Sequence, residues 1–434
     1  MKRGSAQKYF DEVESWPACQ LHDWQLNRLR EVVEFAMTNV PFYRNLWRRA
    51  GIRSPRMRSL RDLEAFPLVD KGILVRAGQD WTGAAGGCVG FSTRGTSGEP
   101  LLLWSSLEDQ QYGIRGLKRA FSWMGFRPGM TALLLSPAWH KLAAAEAHAI
   151  AQLGGSLAYF WGSMGTDSIP RFFHTLANVR PELVSTTSPF LLSCVRYGDE
   201  NGVRLRSAFQ GVRSIVAVGQ PLTPGLREFL KQRLGVGDVF EKAGCQEAGI
   251  GLDDCAWHTG PHIQEDTAYL EVVDATGRSV PPGERGTFVV TKFTVGSGSV
   301  VVRYATGDIA AFLPGQCPCG RALRRLKMYG RPESSVVVSG RTITAYDVRL
   351  AVDEDPELVG RNVVLVRNKQ RRLTAAIEGA AIHATALEAR LHEQLGVPDI
   401  ELLWLGEVRL AWGFRQVIDR AEIGLRKLGR GNGR

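Results

Sequence analysis

Between residues 107 and 234, segments that favour helices alternate with short apolar segments that favour strands. The predicted helices are 107–123, 142–153, 168–177 and 223–234, and the predicted strands are 132–135, 156–161 and 213–218. Strands that alternate with helices pair in parallel, and the helices then cover the faces of the sheet. This stretch therefore predicts an α/β domain with a largely parallel sheet.

The patterns on either side of this stretch differ from it. A helical stripe begins at Leu21 and stops at Asn39-Val40-Pro41-Phe42-Tyr43. From about residue 268 the chain favours strands at 269–273, 286–291 and 300–304, with a turn at Pro281-Pro282-Gly283. After Gly330-Arg331 short strand patterns (335–338, 362–366, 372–377, 401–404) mix with helical patterns at 345–353 and 383–394.

The predicted fold is α/β, with a large N-terminal domain of α/β sheets plus a β-rich subdomain. That domain spans residues 1–330, and a small, mobile α+β C-terminal domain spans residues 331–434. A chain of 434 residues with 44% hydrophobic content has enough apolar surface for a large core.

Charge and hydropathy exclude some classes of function. The net charge of +10 favours anionic ligands, but the basic residues are dispersed and no basic block alternates with aromatic residues, so we expect no nucleic-acid partner. No signal-peptide pattern and no apolar run of roughly 18 residues occur, so we expect no membrane partner and a cytoplasmic location. The seven cysteines are then expected to be reduced thiols or metal ligands.

The stretch Phe91–Pro100 (FSTRGTSGEP) combines several Ser and Thr residues with two glycines. Glycine lets consecutive backbone N–H groups approach an anion, and Ser or Thr hydroxyls add further donors. The stretch is typical of a phosphate-binding loop, although an ordinary surface loop has a similar composition.

Five motifs then follow one another along the chain. They are Phe91–Pro100, Val218-Gly219-Gln220-Pro221, Ala243-Gly244-Cys245-Gln246-Glu247, Arg303-Tyr304-Ala305-Thr306-Gly307-Asp308 and Gly330-Arg331. With this ordered set the chain resembles the adenylate-forming superfamily, which includes acyl-CoA synthetases, adenylation domains and luciferases. It most closely resembles the phenylacetate-CoA ligase branch, from about residue 20 to about residue 420.

The resemblance implies a role for each motif in the activation of a carboxylic acid by ATP. The residues implied at the nucleotide are Thr93, Thr96, Ser97, Gly98, Gln220, Gly244, Asp308 and Arg331. Of these, Asp308 would accept hydrogen bonds from both ribose hydroxyls. Two further residues are implied outside this list: Glu247 would bind Mg²⁺, and Glu333 would lie at a hinge. The plain alternatives are a turn residue for Asp308 and a carboxylate at a helix start for Glu247.

Three cysteines and a histidine form a second candidate set. Cys255 and His262 are seven residues apart, and Cys317-Pro318-Cys319 follows. Three thiolates and an imidazole suit tetrahedral Zn²⁺ in a closed structural site. The resemblance supports this set, because related ligases carry Cys and His at matching positions. His258 is a rival ligand, Cys245 is a further one, and ordinary packing of reduced cysteines is the alternative.

Aromatic residues lie where the related enzymes bind the acid. They are Trp139, Tyr159, Phe160 and Phe190, and His140 stands beside them. Flat apolar walls suit an aryl or other apolar acid, whereas aromatic residues at strand ends also occur as plain core.

The chain departs from the family pattern at several positions. Arg94 and Glu99 replace a serine and a lysine of the loop, Gln220 replaces a glutamate, and Ala305 replaces an arginine. The family's C-terminal catalytic lysine is missing, since the matching segment reads Trp412-Gly413-Phe414-Arg415-Gln416. Arg415 is the candidate catalytic cation there, although an arginine fork differs from a lysine point charge.

The sequence therefore predicts an ATP-dependent, AMP-forming ligase that activates an aromatic or other apolar carboxylic acid and transfers it to CoA or another thiol. The expected cofactors are ATP, Mg²⁺, CoA and structural Zn²⁺. A carrier protein is an alternative acyl acceptor. The sequence leaves open whether the protein forms a homodimer. The alternative function is a fold without efficient adenylation that acts on a preformed thioester as a transferase or cyclase, or as a binding protein. Nucleotidyl transfer to a non-carboxylate acceptor is a third hypothesis.

Overall fold

A computed structural model provides the structure of the chain. It describes residues 10–83, 88–93, 99–135, 141–160, 165–367, 372–379, 381–397, 399–405 and 417–419. No helix in these ranges is both long enough and apolar enough to cross a membrane.

The N-terminal region packs helices against the later sheets. Its elements are α1 (Ala18–Asn39), α2 (Pro41–Arg49) and α3 (Lys71–Arg76). Pro41 is the first residue of α2, and α1 ends just before it, because proline cannot continue a helix. The predicted stop at Asn39–Tyr43 is thus confirmed. The apolar stripe of α1, including Leu29 and Val32, is fully buried.

A hairpin precedes the main sheet. Strands β1 (Val89–Ser92) and β2 (Leu102–Ser105) are antiparallel, and they flank the predicted phosphate loop. Helix α4 (Leu107–Trp123) follows at once. Ser106 caps it, because the Ser106 hydroxyl accepts from the N–H of Asp109 and the Asp109 carboxylate accepts from the N–H of Ser106.

The main sheet confirms the predicted α/β domain. Its elements in chain order are β3 (Thr131–Leu134), α5 (Lys141–Gln152), β4 (Ser156–Tyr159), α6 (Ile169–Val179), β5 (Leu183–Thr187), α7 (Ser188–Asn201), α8 (Leu205–Ala208), β6 (Ser214–Val218), α9 (Pro224–Leu234), β7 (Asp238–Cys245), β8 (Ile250–Asp253) and β9 (His262–Ile263). The strand order is β4-β3-β5-β6-β7-β8-β9, and pairing is parallel from β4 to β7 and antiparallel beyond.

A β-rich subdomain follows, as predicted. Its antiparallel strands are β10 (Ala268–Val273), β11 (Gly286–Lys292), β12 (Tyr304–Phe312) and β13 (Leu326–Gly330). The prediction of a strand at 300–304 was wrong, because Val300 to Arg303 lie before β12. Arg303 has a φ of 47°, which is outside the range of a strand.

Residues 331–434 contribute separate sheets and a separate apolar core. The elements are β14 (Ser335–Val338), β15 (Arg341–Thr344), α10 (Ala345–Asp353), β16 (Val363–Arg367), β17 (Leu373–Ile377), α11 (Ala384–Leu395), β18 (Ile400–Trp404) and β19 (Val417–Asp419). The core contains Val348, Leu365 and Leu391, each fully buried. Both predicted helices of this region are present.

Helix α10 makes polar contacts with the preceding region. Arg285 binds Asp347 through two hydrogen bonds of 2.8 and 2.6 Å, and its guanidinium lies 3.7 Å from the ring centre of Tyr329. The Thr223 hydroxyl donates to Asp353 Oδ2 at 2.6 Å. A Cβ atom on Gly225 would lie 1.9 Å from the Asp353 carbonyl oxygen, so only glycine allows this approach.

The left-handed conformation of Arg303 is held by a buried ion pair. Its guanidinium donates to both Glu271 oxygens, at 3.2 and 2.9 Å, and to the carbonyl oxygens of Glu64, Phe66 and Gly277. Both side chains are almost fully buried. This pair anchors the chain immediately before β12.

We expect Glu271→Gln to lower the free energy of unfolding by about 3–5 kcal/mol, because it leaves the Arg303 charge buried without its ionic partner. Urea denaturation measures the change. The matched control is Glu31→Gln, which removes an exposed partner of Arg28 and should cost less than about 1 kcal/mol. Equal losses in the two variants would contradict the anchoring role of the buried pair.

Candidate active site and metal cluster

The Thr306-Gly307-Asp308 segment forms a bulge in β12. Thr287 pairs with Ile309 and Val289 pairs with Ala305, so residues 306–308 lie opposite the single residue Phe288. Gly307 has a φ of 80°, which favours glycine. The Thr306 hydroxyl donates to the Phe288 carbonyl oxygen and accepts from the Asp308 N–H. A bulge of this kind redirects side chains, and here it presents Asp308.

Asp308 pairs with Arg331 from the turn that follows β13. Arg331 Nε lies 3.2 Å from Asp308 Oδ1, and Arg331 Nη1 lies 3.9 Å from a Glu333 oxygen. Burial raises the pKa of the Asp308 carboxyl above its ordinary value, although Arg331 and Thr306 lower it in part. Arg331 and Glu333 are both exposed, so this pair lies at the rim of a site.

Glu247 lies in the turn between β7 and β8. The Tyr304 hydroxyl donates to Glu247 Oε1 at 3.0 Å, and the Cys245 thiol donates to Oε2 at 3.4 Å. A Cβ atom on Gly244 would lie 2.4 Å from the Ile250 carbonyl oxygen, so the close pairing of β7 with β8 requires glycine here. Since Tyr304 and Asp308 share β12, the turn and the bulge belong to one site.

The hairpin that carries the predicted phosphate loop borders this site. The Gln246 side chain donates to the Ser92 carbonyl oxygen at 3.3 Å. The Thr93 N–H donates to the Leu101 carbonyl oxygen and the Thr93 hydroxyl accepts from the Leu101 N–H, so the two ends of the loop are held together. Gln220 lies in the turn after β6, which is the neighbour of β7.

Several predicted site residues lie outside the described residues. They are Thr96, Ser97, Gly98, Trp139, His140 and Arg415. Their roles stay predictions.

Phe160 and Phe190, predicted to line an acid pocket, both pack on Phe172. Phe160 and Phe190 are buried, and each meets the Phe172 ring edge to face, with ring centres 5.7 and 5.2 Å apart. Tyr159 is 40% exposed, and its hydroxyl donates to the Ala143 carbonyl oxygen. This packing favours the core alternative for the two phenylalanines. A pocket role stays a prediction for all three.

The predicted Cys/His set comes together in space. The candidate ligand atoms of Cys255, His262, Cys317 and Cys319 all lie within 4.8 Å of one another. Cys255 Sγ and Cys317 Sγ are 3.7 Å apart, and Cys319 Sγ is 3.4 Å from His262 Nε2. Ligand atoms around tetrahedral zinc, with Zn–S near 2.3 Å, are separated by roughly 3.8 Å. The donor set and its spacing therefore fit such an ion.

Surrounding contacts fix the donor atoms of this cluster. His262 Nδ1 lies 2.9 Å from the Leu323 carbonyl oxygen, to which it can donate, and this leaves Nε2 towards the sulfurs. A hydrogen bond from Cys255 lowers the pKa of Cys319 below its ordinary value, and the same contact raises the pKa of Cys255. Thiolate is the form that binds metals.

The two rival ligands lie elsewhere. Both ring nitrogens of His258 face carboxylates, Nδ1 at 2.8 Å from Asp254 and Nε2 at 3.0 Å from Asp238. Cys245 lies beside Glu247 in the first site. Among the candidate residues, the structure therefore brings together Cys255, His262, Cys317 and Cys319, and their role as metal ligands stays a prediction.

The two residues that donate to Glu247 were not identified as such from the sequence. Tyr304 was visible only as part of the Thr-Gly-Asp motif, and Cys245 only as a rival metal ligand. Their contacts connect β12 with the β7–β8 turn, and no spacing along the chain indicates such a connection.

Comparisons with known proteins show what this chain is similar to. The AMP-binding enzyme family matches residues 101–299. The phenylacetate-coenzyme A ligase of Thermus thermophilus is 24% identical over 383 residues, which cover 83% of this chain and 81% of that protein. The corresponding ligase of Escherichia coli is 24% identical over 351 residues, 76% and 75% of the two chains.

Solved structures match over nearly the whole chain. A 2-hydroxyisobutyryl-CoA ligase in the postadenylation state has a TM-score of 0.84 at 22% identity and covers 98% of this chain and 96% of its own. The same ligase in the thioesterification state has a TM-score of 0.70 at the same identity and coverage. The solved structures show the same fold, and the family match and the curated relatives support membership of the adenylate-forming superfamily, in its phenylacetate-CoA ligase-like branch.

Proposed function

We propose that this protein activates a carboxylic acid with ATP, forms an acyl-adenylate and pyrophosphate, and transfers the acyl group to CoA. The observation that carries the proposal is the site in which Glu247, Asp308 and Arg331 meet beside the Gly/Ser/Thr loop. The relatives named as phenylacetate-CoA ligases support CoA as the acceptor and an aromatic or other apolar acid as the substrate. A carrier-protein acceptor is a less direct alternative.

The charges of the site suit a nucleotide and a divalent cation. The Glu247 carboxylate is close enough to contribute to the raised pKa of Asp308, after the larger effect of burial, and Arg331 supplies a positive charge beside both. We assign Asp308 to the ribose, because its carboxylate can accept two O–H groups, and Arg331 to the same sugar. Glu247 would hold Mg²⁺, which neutralises phosphate charge when bound. Thr93 and the predicted phosphate-binding residues Thr96, Ser97 and Gly98 would face the phosphates.

The missing C-terminal lysine favours a second hypothesis. The segment Trp412–Gln416 lacks the family's catalytic cation at its usual place, and Arg415 is the candidate replacement. A chain without an effective cation would act on a preformed thioester, as a transferase or cyclase, or would only bind. The first hypothesis explains why Asp308, Arg331 and Glu247 are present, because each would contact the nucleotide or its cation. The second hypothesis does not require these three residues.

Exchange of radioactive pyrophosphate into ATP tests the function. We expect exchange that depends on an added aryl or alkyl acid from a panel, and we expect ATP to raise the melting temperature. Asp308→Ala should abolish both effects, because the ribose loses its acceptor. Glu284→Ala, an exposed carboxylate of the same subdomain, is the control and should leave both unchanged. A folded protein that shows no exchange with any acid would favour the second hypothesis.

We further propose that the Cys/His cluster holds a structural zinc ion. All four protein donors are used and three of them are buried, as in closed structural sites. The N-terminal segment covers the cluster, because Glu14 accepts from Arg321 at 2.6 Å and from the Trp123 indole at 2.9 Å. Through Cys255 and His262 the ion would hold the β8–β9 end of the main sheet, and through Cys317 and Cys319 it would join this end to the β12–β13 connection of the β-rich subdomain.

Purified protein should contain about one zinc per chain, and Cys317→Ser should lower both the zinc content and the melting temperature. Metal analysis and thermal unfolding measure the two effects. Cys194→Ser is the matched control, because Cys194 is equally buried but distant from the cluster. That variant should lose stability through polar burial and keep its zinc. Zinc-free protein with an unchanged melting temperature would contradict the proposal.

We also propose that residues 331–434 act as a mobile lid that turns about Arg331–Glu333. The higher TM-score with the postadenylation state than with the thioesterification state supports two arrangements, of which this chain is nearer the first. The contacts between this region and the core come largely from α10, through Asp347 and Asp353. A small polar interface of this kind can separate and form again.

Glu333→Pro should impair one half-reaction more than the other, because proline fixes φ at the junction and favours one arrangement. Pyrophosphate exchange reports adenylate formation, and a supplied acyl-adenylate with CoA reports thioester formation. Glu333→Ala removes the same carboxylate without restricting the backbone and serves as the control. Equal losses in both half-reactions would contradict the hinge.

A further inference from the structure

Both carboxylate oxygens of Glu247 are engaged by buried donors. Tyr304 is 1% exposed and donates to Oε1, while Cys245 is 6% exposed and donates to Oε2. We propose that Tyr304 and Cys245 are positioning residues that fix the Glu247 carboxylate for cation binding. This inference rests on the proposed function, in which Glu247 holds Mg²⁺.

Each donor leaves room for a ligand on the carboxylate. An ionised carboxylate has about four lone-pair directions, and each of the two donors occupies one. Every oxygen thus keeps acceptor capacity for a cation. A carboxylate held at both oxygens also loses little rotational freedom when the cation arrives, so less of the binding free energy is spent on ordering it.

Tyr304 connects Glu247 to the strand that presents the ribose residue. It lies on β12, four residues before Asp308, and it pairs with Val290 of β11 and bridges to Val69. The preceding Arg303 is anchored by its buried ion pair with Glu271. The hydroxyl of Tyr304 is therefore held in place by β12, and through it β12 helps to set the separation of the Glu247 and Asp308 carboxylates.

The two donors keep their protons in this environment. Burial first, and the nearby Glu247 carboxylate second, raise the pKa of Tyr304 and of Cys245 above their ordinary values. A neutral hydroxyl and a neutral thiol can donate to a carboxylate, whereas their anions would repel it.

Tyr304→Phe isolates the hydroxyl, because the ring stays in the core. In the presence of ATP, Mg²⁺ should raise the melting temperature, and we define the Mg²⁺ requirement as the concentration that gives half of this rise. We expect the requirement to increase roughly tenfold in this variant, because loss of a residue that orients a metal ligand typically weakens metal binding by such a factor. The Mg²⁺ requirement of pyrophosphate exchange should rise in parallel, with the KM for ATP unchanged at saturating Mg²⁺. Cys245→Ala should also increase the Mg²⁺ requirement. Cys245→Ser keeps a hydrogen-bond donor at this position and should therefore keep the Mg²⁺ requirement of the unchanged protein.

Tyr43→Phe is the matched control. The Tyr43 hydroxyl is also buried, donates to the Val300 carbonyl oxygen at 3.0 Å and accepts from the Val302 N–H at 3.1 Å, close to the start of β12. Its loss should lower stability and leave the Mg²⁺ requirement as in the unchanged protein. If Tyr304→Phe behaves in the same way as this control, the positioning role is wrong and the hydroxyl is only structural. If ATP and Mg²⁺ fail to stabilise the unchanged protein, the proposed function itself is wrong.

Discussion

The buried pair of Arg303 and Glu271 is the constraint on which the candidate active site depends. It holds Arg303 in a left-handed conformation and joins the start of β12 to the segment at Glu64–Phe66 and to Gly277. Desolvation of two charges is costly, and the complete set of partners offsets that cost. From this anchor the strand runs through Tyr304 to the bulge at Asp308. The two carboxylates of the site and the arginine of the junction are thus arranged around one short stretch of backbone.

Much of the fold follows from local patterns in the sequence. Helix α10 occupies the predicted residues 345–353, and β14 occupies the predicted residues 335–338, because an apolar repeat with a cap or a turn on each side defines them well. The central strand β5 was not predicted. Its Ser185, Thr186 and Thr187 are polar, and only their position between neighbouring strands makes them a strand.

The candidate sites show the same division between local and distant information. The four residues of the Cys/His cluster could be chosen because ligand chemistry restricts them to a few residue types. The hydroxyl of Tyr304 and the thiol of Cys245 could not be chosen in this way, because Tyr and Cys are ordinary core residues. Their proposed role arises from contacts with Glu247, which lies 57 residues from Tyr304 and one turn from Cys245. The wrong strand at 300–304 has a similar origin, since the ion pair of Arg303 overrides a strong local preference for extended backbone.

The close approach of Gly225 to Asp353 makes the seat of α10 sensitive to a single methyl group. The glycine is at the start of α9, and the carbonyl oxygen belongs to the end of α10. Any other residue at 225 would clash with that oxygen and oppose the present seat. If residues 331–434 turn as proposed, position 225 would bias the balance between the two arrangements by steric contact alone, without any change at the nucleotide site.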